Sequence, residues 1–117
     1  MKIIDPKNIE VKGAAQLHLG EVGRQTLVDK NDSSAVQVGC VRWGPGARTK
    51  WHTHDSEQIL YFTEGKGTVA NEKEECTLTA GMIAVIAKGE KHWHGGTKTT
   101  GCTHLTIAAP HGTEILE

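Results

Sequence analysis

The chain has 117 residues, 37% hydrophobic and 23% charged, with a formal net charge of −1. That length suits one hydrophobic core, and the near-neutral balance, with no run of Lys or Arg, argues against nucleic acid or an acidic membrane as partner. No stretch approaches a membrane span and no signal-like segment follows MKIIDPKNIE, so the expected location is the cytoplasm, with Cys40, Cys76 and Cys102 as reduced thiols, most of them small buried packing residues.

In chain order, residues 8 to 24 fit either an edge strand or a short helix. Short runs dense in β-branched residues then recur: QTLVD from 25, AVQVGCVRW from 35, QILYF from 58, GTVAN from 67, CTLTA from 76, MIAVIA from 82 and CTHLTIAA from 102. The Gly-containing segments GPGAR, TEGKG and AKGEK read as turns between them. Strands at this spacing predict a single all-β domain, an antiparallel sandwich or barrel.

Residues two apart on a strand project to the same side. His52 and His54 therefore share a face in KWHTH, as do His92 and His94 in KHWHG. Gln58 shares a face with Leu60 and Phe62, opposite Ile59 and Tyr61. His104 lies with Cys102 and Thr106. Five of the seven histidines thus fall where one barrel interior can gather them, leaving His18 and His111 as expected surface residues. Burying several imidazoles together is costly without a metal or a hydrogen-bond network. A transition metal is the economical explanation, and by ligand type Mn, Fe, Co, Ni and Zn all qualify.

These residues resemble the cupin superfamily, small β-barrels or jelly rolls, over residues 46–96. The family's first motif, G-x5-H-x-H-x3-E-x6-G, meets Gly46, His52, His54 and Gly65, with Gln58 at the Glu position. The second, G-x5-P-x-G-x2-H-x3-N, meets Gly81, Gly89 and His92, with Ala87 for the proline and Gly96 for the asparagine. On this resemblance residues 1–117 form one cupin domain with core motifs at 46–65 and 81–96. PGARTKWHTH, Gln58, GEKHWHG and TTGCTHLTIA are also similar to the small bacterial manganese cupins that include cupin-type hydroxynitrile lyases. That resemblance implies His52, His54, Gln58 and His92 as ligands of a divalent metal, with Mn favoured. It also implies His94 and His104 as acid–base or substrate-orienting groups at the open side. In a lyase of this kind Lys91 is a further candidate, to stabilise a departing anion. Trp51 and Trp93 have the opposite parity and are expected in packing or a subunit contact.

Three neutral imidazoles and an amide would leave the metal's charge uncompensated, which favours anions at the open positions. The expected function is a Lewis-acid lyase acting on a small, carbonyl-containing or anionic molecule. A metal-dependent dioxygenase and a non-catalytic binding module are the alternatives. A homodimer or higher homo-oligomer is expected, with Ile3-Ile4 and Ile115-Leu116 pairing with a neighbour's sheet.

Overall fold

The structure is a computed structural model that describes residues 1–117. Eleven strands form two antiparallel sheets that curl into a jelly-roll barrel: β1 (His18–Leu19), β2 (Val22–Val28), β3 (Gln37–Trp43), β4 (Arg48–Thr49), β5 (His52–His54), β6 (Gln58–Asn71), β7 (Glu75–Thr79), β8 (Ile83–Ile86), β9 (His92–Gly96), β10 (Cys102–Ala108) and β11 (Thr113–Ile115). One sheet runs β8-β6-β10-β3-β2. The other runs β1-β4-β9-β6-β7, with β5 bridging β9 and β11.

Strand β6 belongs to both sheets, which corrects the reading of TEGKG as a turn. The chain runs through Gly65 and Gly67 as one continuous strand that bends from sheet to sheet. Gly65 has φ +73°, a conformation L side chains rarely adopt. A Cβ at Gly67 would lie 2.6 Å from Cys102 Sγ and 2.7 Å from Gly95 O. Glycine here permits a bend and a close approach within a strand, as at barrel corners.

The alternation read from QILYF holds. Leu60 and Phe62 are fully buried, whereas Ile59 and Tyr61 are exposed. Leu60 and Phe62 pack with Val22, Trp43, Leu78, Ile86 and Cys102 in one core, each large side chain contributing about 1.5–3 kcal/mol by leaving water. Of the three thiols, Cys40 and Cys102 are buried and Cys76 is exposed.

Residues 8–24 resolve as edge strand, not helix: Lys12 bridges Arg24, and β1 pairs β4. Buried Gln25 ties the N-terminal segment down by donating from Nε2 to the carbonyls of Pro6 and Ile9. At the C-terminus Ile115 pairs with His52 inside its own chain, so one side of β11 is taken within this barrel.

Candidate metal centre

Strands β5, β6 and β9 bring the first ligand candidates together. His52 and His92 are direct cross-strand partners, with ring centroids 4.2 Å apart. The ligating atoms of His52, His54 and His92 all lie within 4.8 Å of one another, and all three residues are buried. Gln58 joins them, its Oε1 at 3.3 Å from His92 Nε2. Glu57, its exposed neighbour, is turned away by strand alternation.

The far side of each ring determines which nitrogen is offered. His52 Nδ1 lies 2.7 Å from the Lys50 carbonyl and His92 Nδ1 lies 2.8 Å from the Glu90 carbonyl. A carbonyl only accepts, so both rings carry their proton on Nδ1 and present a bare Nε2. His54 Nδ1 is held by Thr113 Oγ1 at 2.9 Å. The Nε2 atoms of His52 and His54 are buried and have no hydrogen-bond partner. Burial pushes the His52 imidazole down to about 4, and burial with the neighbouring His52 and His111 pushes His54 to about 3. Burial likewise lowers His92. Neutral imidazoles whose ligating atoms converge, with the Nε2 atoms of His52 and His54 orphaned, fit a divalent metal bound by histidine.

These groups line one end of the barrel interior, beside a cavity of about 290 Å³ that also takes in His94 and Trp43. The cupin domain family matches residues 39–108. The chain belongs to the cupin family. This cupin is 40% identical over 99 residues to a protein named (R)-mandelonitrile lyase from Granulicella tundricola, covering 82% of this chain and 74% of that one. A cupin-like protein from Thermotoga maritima superposes with a TM-score of 0.82 at 33% identity, over 90% of this chain and 83% of that one. The polyketide cyclase RemF from Streptomyces resistomycificus shares the fold, with a TM-score of 0.84 at 19% identity over 100% of this chain and 87% of that one.

The remaining histidines of the cupin divide differently from the sequence expectation. His94 lines the cavity, its backbone N–H donating to Thr49 Oγ1 at 3.1 Å. Burial, then the neighbouring His104, holds its pKa well below the usual histidine value. His104 is fully buried and is absent from the cavity lining. It stands behind His94, ring centroids 5.0 Å apart, and receives the Trp43 indole N–H on Nε2 at 2.9 Å. An indole nitrogen only donates, so His104 keeps its proton on Nδ1. Burial pushes its pKa down to about 4. Trp43 is one site residue that sequence reasoning missed; AVQVGCVRW identifies a strand, but only the pairing of β3 with β10 brings its indole to His104.

Lys91 is not at the cavity. It follows strand alternation to the outside, with its ammonium 5.3 Å from the centre of the Trp51 ring. Trp93 is likewise outside, under the Arg48 guanidinium. His18 and His111, expected on the surface, both line the cavity. The His18 ring stands 5.7 Å from Trp43, and the His111 ring 4.5 Å from His54. Both sit on segments the strand pattern leaves undefined, and the closing of β1 and β11 over the barrel end carries them inward. No helix is long and apolar enough to cross a membrane.

Proposed function

We propose that this cupin is a metal-dependent lyase of the hydroxynitrile-lyase type, which cleaves and forms the bond between a carbinol carbon and cyanide. The observation that carries the reading is the neutral donor set: three buried imidazoles aiming Nε2 inward and an amide where most cupins place a carboxylate. The 40% identity to an (R)-mandelonitrile lyase supports it. A divalent transition ion, Mn foremost, held by His52, His54, His92 and Gln58, would supply Lewis acidity at nearly its full double charge.

The chain's own residues perform the proton work. His94, kept neutral by burial, takes the cyanohydrin hydroxyl proton on its ring as the C–CN bond breaks. The bonding pair leaves with cyanide, which then recovers that proton as HCN, so the products are a carbonyl compound and HCN. His104 acts through His94: with Nε2 tied to Trp43, it stays neutral and keeps the ring in front of it in place. Lys91, stacked on Trp51, takes no part in stabilising the leaving group.

The test is metal analysis of the purified protein followed by cyanide release from mandelonitrile, with and without a chelator. Chelator-sensitive release is expected. A fully metal-loaded protein that releases no cyanide would overturn the lyase reading.

The assembly that goes with this function is a homodimer formed through the outer face of β6 and β8. There Ile59 opposes Val85 and Tyr61 opposes Ile83, all four exposed, and a contiguous apolar patch on a small barrel suits a second copy. Sedimentation velocity checks it: Val85→Glu should shift dimer to monomer.

A further inference from the structure

The cavity that contains the histidines is lined by no aspartate or glutamate. Its one permanently charged side chain is Arg24. Strand β2 turns Val22 into the core and Arg24, Thr26 and Val28 toward the cavity, the same-face alternation that places the histidines. The guanidinium is anchored on one side only, Nε donating to the Gly13 carbonyl at 2.8 Å. Neither Nη group has a protein partner, and the molecule's ion pairs are Lys2–Asp32 and Arg48–Glu117. By contrast Arg42, one strand over, donates from Nη1 to Gln25. An arginine facing a cavity of about 290 Å³ with its outer fork free has the geometry that grips a carboxylate with two parallel hydrogen bonds. The histidines around it do not compete as anion partners. His18 is held below its usual pKa by burial and then by Arg24 itself. The volume lies near the small end of ligand pockets, about 300–1,000 Å³.

We infer that the substrate of this site carries a carboxylate, which Arg24 binds at the β2 side of the cavity while the reacting end lies at the His52, His54 and His92 group. Arg24 is a specificity-determining residue that selects acids over neutral molecules of the same shape. The inference rests on the lyase reading only for what happens at the reacting end.

The experiment uses benzoate and its neutral counterpart benzamide as probes. Binding is measured by calorimetry and protein NMR on the full chain, both loaded with Mn and metal-free. Wild type should bind benzoate at least tenfold more tightly than benzamide. In Arg24→Gln that preference should disappear while benzamide binding stays as in wild type, which also reports that the cavity is intact. Arg24→Lys, which keeps the charge without the fork, should retain part of the preference. An Arg24-dependent preference that survives in the metal-free protein supports the assignment even if the protein cleaves no cyanohydrin, so the two readings fail separately. A benzoate preference unchanged in Arg24→Gln, or lost from wild type on removing the metal, would mean that the metal takes the acid, and overturns it. So would equal binding of the two probes by wild type.

Discussion

Two groups of buried histidines stand side by side in this barrel, and they differ in what holds the side of the ring turned away from the cavity. His52, His54 and His92 have Nδ1 tied to Lys50 O, Thr113 Oγ1 and Glu90 O, and the Nε2 atoms of His52 and His54 are orphaned. His94 and His104 show the reverse, with Nδ1 buried and unpartnered and His104 Nε2 covered by Trp43. Residue type and strand parity are the same in both groups. The difference teaches that an imidazole's role is set by the partner of its other nitrogen, because that partner fixes the tautomer and aims the lone pair.

The largest effect that separates the groups is loss of metal. His52→Ala should lower bound metal more than tenfold by elemental analysis, whereas His94→Ala should leave it in place; the opposite pattern would reverse the assignment of the two groups. Next, His94→Ala with metal retained should reduce cyanide release by about 10²–10⁴-fold, the usual range for a positioned acid–base group. A decrease seen only in KM would make His94 a binding residue instead.

Thr113→Val removes the hydroxyl that orients His54 and should weaken metal affinity by about 10–100-fold, read in a chelator competition. Unchanged affinity would show that packing alone aims the ring. Trp43→Phe strips the donor from His104 Nε2 and should cost about 1–3 kcal/mol of stability in denaturant unfolding, with bound metal unchanged.

The smallest effect per residue is on the pH dependence of the metal-free protein. Burial depresses His52 and His104 to about 4 and His54 to about 3, so the unfolded chain, titrating near 6.5, takes up protons first. Stability is therefore full above pH 6.5 and lost as pH falls toward the folded values. The loss between pH 7 and 6 is about 0.7 kcal/mol for each of these histidines. Unfolding midpoints flat over that interval would mean that these rings are not buried neutral.

Much of the centre was legible because strand alternation is a strict period of two. That rule put His52 with His54, His92 with His94, and Gln58 with Leu60 and Phe62; the family resemblance joined them into one ligand set, and the pairing of β5 and β6 with β9 brings them together. The rule also turned Trp93 outward, and it would have excluded Lys91 had it been applied there as strictly. Gly65 was misread because a positive-φ glycine serves equally in a turn and in a bend within a strand, and only the neighbouring strands distinguish the two.

The sequence by itself determined the all-β class and the same-face pairing of His52 with His54 and of His92 with His94, since both follow from local periodicity, and its family resemblance placed Gln58 where a carboxylate is usual. Tertiary structure alone decided which nitrogen each ring presents, that Trp43 reaches His104, and that His18, His111 and Arg24 share the cavity. Those relations join residues as far apart as 43 and 104 or 54 and 113. Contacts of that span depend on sheet pairing and barrel closure, which no local pattern encodes.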